Sequence, residues 1–427
     1  MGRIPKLLPA PLQRFLQRRR LKRKLAQTPY SRSAVGELLA ELASHPRFLP
    51  TPQRPSLLLY ATIFPRLSCS FNLVEYRALL DHFPGSLCYT TGTDFHTGSD
   101  RPTFEGILRD YSALYPHHAK RIRKMDFSTS FSASLFYTIF LSNIHDCLPL
   151  LEGTRTPFVF RLYLGGEWCV GNEDSDRMLD RVLRSPQFRH VITVDPATER
   201  YVREKWKLGS DQLSYLPGWM VDTTTLYSAG AHRPKEPSHQ ICFVGMKSAP
   251  GGKNKGFDVF VEVAKQLAKK FPAMIFHVVG SCGPEDADVT ELGPRIVFHG
   301  VQNQDFFPRF YPNMDLILSP NLPNSLAPGH LEGAPNVTNV EAALCGCLVV
   351  MTDQSRLNVL FEPDRHLLVV PHDAQAITHR LESLYNNPHQ LLRLAAEGRE
   401  RFREVCDSNR ILQPLFERIS QYLPKPA

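Results

Sequence analysis

Lys255 closes a glycine-rich loop, Gly251-Gly-Lys253-Asn-Lys255-Gly256, that follows an apolar strand pattern ending at Gly245. Further along, Glu332 precedes Gly333-Ala-Pro-Asn336-Val337-Thr338-Asn-Val-Glu341-Ala-Ala-Leu-Cys-Gly346. A small-residue helix is expected there, starting near Asn336 and ending at Gly346, with an apolar strand after it. The first turn of such a helix offers unpaired backbone N–H groups and a positive dipole end, so Asn336 to Thr338 form a candidate phosphate cradle. A lysine at the start of a neighbouring helix could neutralise phosphate oxygens. Each feature also has a plain reading. A loop lysine can be a solvated surface charge, and a glutamate in the first turns of a helix can simply complement the macrodipole, worth about 0.3–1 kcal/mol. Near a bound nucleotide the same glutamate would accept from ribose hydroxyls. Both readings stay open on these residues alone.

Several other chemistries are excluded. A P-loop needs Ser or Thr after its lysine for magnesium, and Asn254 follows Lys253. The loop also lacks the Gly-x-Gly-x-x-Gly order of a dinucleotide site. No His-Glu-x-x-His pair, zinc-type cysteine spacing or Gly-x-Ser-x-Gly elbow occurs, so neither a protein-built metal site nor an α/β-hydrolase is expected. The pair His117-His118 reads as surface.

The elements that must position these residues alternate strand with helix. Ser56–Phe64, Leu87–Thr91, Thr156–Tyr163 and Val191–Val194 read as buried strands of a first unit, and a helix is expected over Tyr111–Lys124. The strand at Thr156–Tyr163 runs into Gly165-Gly166-Glu167. In parallel α/β sheets ligands sit at strand carboxyl ends, so the two glycines are placed to let a ligand approach the backbone. After Thr223 periodicity is lost, and His239–Gly245 restarts the pattern. The amphipathic helix Phe257–Phe271 and the strands Ala273–Gly280, Ile296–His299 and Met314–Ser319 follow. The fold class expected is α/β, with two Rossmann-like domains. The divisions expected are 1–54 (a basic arm and short helix), 55–226, a linker at 227–237, 238–406, and a last helix within 407–427.

The net charge of +8 is not spread over the fold. Residues 1–32 hold ten Lys and Arg and no acid, which leaves −2 for the rest of the chain. A basic face over a whole domain would point to nucleic acid. A terminal arm that interleaves Leu7, Leu8, Leu12, Phe15, Leu16, Leu21 and Leu25 with cations points instead to an anionic membrane surface, or to a solvated tail. No apolar run approaches the roughly 18–20 residues of a membrane span, and the arm lacks the apolar centre of a secretory signal. Nine scattered cysteines without a Cys-x-x-Cys pair read as reduced thiols of a cytosolic protein.

From Ile241 to Arg410 the chain resembles the donor domain of the family 4 glycosyltransferases, whose two-Rossmann-domain architecture is called GT-B. The elements that carry the resemblance stand in the family's order: Phe-Val-Gly245, Lys255-Gly256 opening a helix, Ile-Phe-His-Val-Val-Gly280, Val-Phe-His-Gly300, Tyr311 to Asp315 to Pro320, and Glu332 to Glu341-Ala-Ala-Leu-Cys-Gly346. The resemblance implies GT-B and a retaining transfer of sugar from a UDP- or GDP-sugar co-substrate, with no tightly bound cofactor and no metal required. It implies a carbohydrate or lipid-linked acceptor, and with the basic arm and the reduced thiols the expected location is cytoplasmic, peripheral at the inner face of a membrane. Catalytic roles fall on Lys255 and Glu332. Donor contacts fall on Gly245, Lys253, Lys255, Asn336, Val337, Thr338 and Glu341, and the sugar or acceptor loop on Gly165, Gly166 and Glu167. Two departures stand out. Met246 occupies the family's arginine position, with Lys247 and Lys253 as stand-ins, and eight residues rather than seven separate Glu332 from Glu341. The alternatives are a nucleotide-sugar epimerase or a phosphorylase, and a non-catalytic carbohydrate-binding or assembly protein on the same architecture.

Overall fold

The apolar runs that lack a polar alternation become strands buried on both faces, as parallel sheets covered by helices require. The computed structural model describes residues 10–25, 32–68, 70–91, 103–223, 226–227, 236–333 and 335–424. In it, strands β1 (Leu57–Ala61), β2 (Ser86–Thr90), β3 (Ile122–Lys124), β4 (Leu135–Ile139), β5 (Phe158–Leu162), β6 (Phe188–Thr193) and β7 (Leu213–Tyr215) form one sheet. Strands β8 (Gln240–Gly245), β9 (Ile275–Gly280), β10 (Ile296–Gly300), β11 (Leu316–Ser319), β12 (Leu348–Met351) and β13 (Leu368–Val369) form the other. The orders are β3-β2-β1-β4-β5-β6-β7 and β10-β9-β8-β11-β12-β13, and the pairings are parallel. The expected α/β class with two Rossmann-like domains holds. Each sheet reverses its strand order once, at β1/β4 and at β8/β11. The crevice outside the carboxyl ends there is where such sheets bind ligands.

The helix Phe257–Lys270 illustrates how local pattern becomes packing. Phe257, Phe260, Val261, Ala264, Leu267 and Ala268 recur at helical spacing, and all are at most 5% exposed in the core of the second sheet. Burying each of the larger ones is worth about 1.5–3 kcal/mol. The last helix, Ser408–Ser420, buries Ile411, Leu412, Leu415 and Ile419 with Leu73, Leu79 and Leu80 in the core of the first sheet, and Phe416 stacks on His82. Of the basic arm, residues 10–25 are a helix that buries Leu21 and Leu25 in the first core beside Leu38 and Leu42, while Leu12 and Phe15 stay exposed. Residues 1–9 and 26–31 of the arm, and most of the expected linker, lie outside the described residues.

The expected helix over Tyr111–Lys124 is corrected. The helix is Phe104–Leu114, capped by Thr103, whose hydroxyl accepts from Gly106 N–H. Pro116 cannot continue a helix interior. It opens a 3-10 turn, Pro116–Arg121, which leads directly into the short edge strand β3.

Candidate active site

At the second switch point β8 ends at Gly245 and β11 ends at Ser319-Pro320. Gly256 starts the helix after β8 with φ +70°, and a Cβ there would lie 2.0 Å from the Pro320 carbonyl oxygen. Only glycine meets both demands. The close approach fixes Lys255, whose stem runs past Gly245: a Cβ on Gly245 would lie 3.4 Å from Lys255 Cγ. Lys255 Nζ pairs with Glu332 Oε1 at 2.5 Å, and Asn321 Nδ2 donates to Glu332 Oε2 at 3.0 Å. The lysine side chain is 24% exposed and the glutamate 11%, so the pair is half-buried and still reachable. Asn321 is in turn fixed by Thr352 Oγ1, which donates to its carbonyl at 2.5 Å.

The helix beside this pair is Val337–Leu344. Asn336 is its N-cap. Its Oδ1 accepts from Asn339 N–H at 3.0 Å and from Thr338 Oγ1 at 2.6 Å, and Ser319 Oγ donates to Asn339 Oδ1 at 2.9 Å. The helix start is thereby held over the end of β11. The N–H groups of Val337 and Thr338 are the kind of donor an α-helix leaves open at its start, with the positive dipole end behind them.

The first sheet supplies the opposite wall. Gly165, Gly166 and Glu167 have φ of +92°, +55° and +69°, and a Cβ on Gly166 would lie 2.4 Å from Phe140 Cβ. Ser142 N–H donates to Gly166 O at 3.0 Å and Ser175 Oγ to Glu167 O at 2.6 Å, so the loop is pinned from two sides. It leads to Val170, whose N–H donates to Gly329 O at 2.8 Å; a Cβ on Gly329 would lie 2.0 Å from Val170 O. On the other side Trp219 Nε1 donates to Pro335 O at 2.5 Å. The segment that carries Glu332 is therefore gripped near both ends by residues that follow strands of the first sheet.

Residues 238–387 match the family of glycosyl transferases group 1. The match lies within the second domain and takes in both Lys255 and Glu332. A search among curated protein sequences finds no match. Solved structures share the whole fold. Sucrose-phosphate synthase from Thermosynechococcus elongatus is 16% identical with a TM-score of 0.57, covering 86% of this chain and 99% of that one. HepE of Anabaena, solved with UDP and glucose, is 15% identical with a TM-score of 0.60 and the same coverage. A glycosyltransferase from Rickettsia africae is 13% identical with a TM-score of 0.56, covering 88% of this chain and all of that one. The architecture is GT-B, and the enzyme class is glycosyltransferase.

Within this glycosyltransferase domain, Lys255, Glu332 and the Asn336 helix start come together as one site, with Gly245 beneath Lys255. Glu341 lies further along the same helix. It falls beyond the first turn, which holds no acidic residue, and is 2% exposed. The phenols of Tyr227 and Tyr311 are both pushed well up, by burial first and by the charge of Glu341 next. Lys247, the other stand-in at the Met246 position, pairs with Asp286 at 2.5 Å and Glu285 at 3.4 Å. Lys253 is exposed on the 3-10 turn Pro250–Lys255.

Three residues of the site were not singled out from the sequence. Asn254 is 1% exposed and folds the loop, accepting from Ser248 and Ala249 N–H at 3.2 and 3.0 Å. Asn321 orients Glu332. His330 is 7% exposed, and its Nδ1 has no hydrogen-bond partner among the described residues. Burial holds its pKa below the usual value, against the pull of Glu332. An asparagine two residues past a strand and a histidine two residues before a glutamate are weak signals; only the fold brings them together.

Proposed function

We propose that the protein is a retaining glycosyltransferase that moves a sugar from a UDP- or GDP-sugar to a carbohydrate or lipid-linked acceptor, in the synthesis of a cell-surface polysaccharide or glycoconjugate. The observation that carries this reading is the exchangeable Lys255–Glu332 pair beside the capped helix start at Asn336. With donor bound, Lys255 turns from Glu332 to the diphosphate, and the N–H groups of Val337 and Thr338 take the distal phosphate. Glu332, released from the lysine but still held by Asn321, accepts from the sugar hydroxyls. Glu341 accepts from the ribose, and Lys253 supplies further positive charge. His330, with its unpartnered nitrogen beside Glu332, contacts the sugar or the diphosphate.

In the transfer step the bond from the anomeric carbon to the leaving phosphate oxygen breaks, and the acceptor oxygen bonds on the same face. The acceptor proton passes to that leaving oxygen. Lys255 and the helix start stabilise the charge that develops on the diphosphate without reorganising, which is where preorganised donors act most strongly. Gly165, Gly166 and Glu167 form the acceptor side of the cleft, and the grips at Val170 and Trp219 keep water from the anomeric carbon.

Calorimetric titration with UDP and GDP, followed by an assay of sugar transfer to an added acceptor, tests the reading. Binding of one nucleotide and formation of a new glycoside are expected. A protein that binds neither would instead be a non-catalytic relative, the reading that Met246 and the extra residue between Glu332 and Glu341 favour. Donor isomerisation without transfer would make it an epimerase, and cleavage dependent on phosphate a phosphorylase.

The helix Ala10–Leu25 carries exposed Leu12 and Phe15 among Arg18, Arg19, Arg20 and Arg23, and we extend the proposal to a peripheral site on an anionic membrane at the cytoplasmic face. Reversing the charge of the exposed Arg19, Arg20 and Arg23 should release the protein from anionic vesicles. Unchanged cosedimentation would refute the membrane role.

A further inference from the structure

We propose that Asp81, His117 and His118 form a binding site for a borderline divalent cation of the Zn2+ type, at the edge of the first sheet and on elements separate from the Lys255–Glu332 site. Asp81 lies at the end of the helix Ser70–His82, and the two histidines lie on the 3-10 turn Pro116–Arg121. Asp81 Oδ1 is 3.0 Å from His117 Nε2 and 2.8 Å from His118 Nε2. One atom from each of the three residues thus lies within 4.8 Å of the others. A tetrahedral cation with bonds of about 2.0–2.1 Å needs its ligand atoms about 3.3 Å apart. The two separations from Asp81 Oδ1 need to lengthen by only about 0.3–0.5 Å to reach that spacing.

Two further features separate this cluster from a chance surface triad. His118 is fully buried although Asp81 and His117 are half-exposed or more, and its other ring nitrogen, Nδ1, is 2.7 Å from the hydroxyl of Tyr111. A tyrosine hydroxyl both donates and accepts. It can donate to Nδ1 while Nε2 carries the proton toward Asp81, and it can accept from Nδ1–H once a cation takes Nε2. An outer partner that fixes the ring and follows its tautomer is what ligating histidines ordinarily have. The turn is also built independently of any cation: Arg121 Nη1 donates to Leu80 O at 2.6 Å and to Phe83 O at 3.3 Å, which anchors it to the end of the helix that bears Asp81. Two imidazoles and one carboxylate select Zn2+ or Co2+ over Mg2+, and the exposed side leaves the fourth position to water.

The test uses the full-length protein stripped of metal. One Zn2+ per chain should bind with micromolar affinity in competition with a chromophoric chelator. Co2+ should give visible bands of a nitrogen and oxygen site without the near-ultraviolet thiolate band. Asp81→Asn and His117→Ala, both at exposed positions, should each weaken Zn2+ at least 30-fold, and Tyr111→Phe about tenfold. Circular dichroism of each metal-free variant should match the parent, so that lost binding is not lost folding. No Zn2+ uptake below millimolar concentration, a thiolate band with Co2+, or unchanged affinity in the three variants would each overturn the proposal.

Discussion

Two ion pairs of similar length hold this molecule together in opposite ways. Arg161 on β5 and Glu75 on the helix Ser70–His82 meet at 2.7 Å with both side chains fully buried. Glu75 is held by more than the arginine: Tyr163 donates to Oε2 at 2.8 Å, and Tyr137 donates to Oε1. The guanidinium spends its other end on the carbonyls of Leu216 and Pro217, at 3.0 and 2.6 Å. Lys255 and Glu332 meet at 2.5 Å, but at the mouth of the cleft, with 24% and 11% of their side chains exposed. A closed pair, fully buried, is out of reach of a ligand and is structural. An open pair can exchange its partner for a diphosphate or a sugar hydroxyl at little cost, because water or ligand replaces what is lost. The same chemistry is scaffold in one sheet and site in the other, and burial decides which.

Arg161→Met tests the closed pair and should have the largest effect. Breaking a buried pair leaves one charge uncompensated and costs about 3–5 kcal/mol. Urea unfolding should read that loss as a fall in midpoint with little change in slope. The double variant Glu75→Leu with Arg161→Met should recover part of it, because replacing both charges removes the desolvation cost along with the attraction. If the single variant loses less than about 1 kcal/mol, the two pairs do not differ as described.

Lys255→Ala tests the open pair. Removing one preorganised donor to developing charge typically lowers turnover by about 10²–10³. The stability cost should stay below about 1 kcal/mol, since the pair is partly solvated and Glu332 retains Asn321. Near-normal turnover with intact folding would remove Lys255 from the reaction. Large destabilisation would make the pair a second scaffold.

Much of this contrast could be read from the chain, for particular reasons. Lys255-Gly256 ahead of Phe257, Phe260, Val261 and Ala264 marks a helix start by local pattern, and Asn336 before a small-residue run marks another. These are short-range facts. The α/β class followed from strand runs without polar alternation. What escaped was long-range or came from edges. The helix Phe104–Leu114 was displaced in the sequence reading because β3 has only three residues, Ile122–Lys124, too few to show a period, and the preceding 3-10 turn imitates helix. Asn321 and His330 matter only through what the fold places beside them. Glu341 owes its place in the expected site to the resemblance, since a glutamate that is 2% exposed on a short helix has no local signal of its own.

The smallest effect should come from the residue that joins the two pairs. Arg161 holds the carbonyl of Pro217, and two residues later Trp219 donates its indole N–H to Pro335 O, in the segment that carries Glu332. Scaffold and site are thus connected through Pro217-Gly218-Trp219. Trp219→Phe keeps most of the aromatic packing against Phe361, whose ring centroid lies 5.6 Å away, but removes the hydrogen bond. One neutral hydrogen bond contributes about 1 kcal/mol net. If that bond holds the cleft closed over Glu332, its loss lowers the closed population and weakens apparent donor affinity by about fivefold. Once donor is saturating, the Lys255 site is reassembled and turnover should change by less than twofold. Steady-state kinetics separates the two terms. A rise in donor KM with kcat preserved would establish Trp219 as a clasp between the two domains, whereas a fall in kcat at unchanged KM would mean that it acts on the reacting atoms and that the division between closed scaffold and open site is drawn in the wrong place.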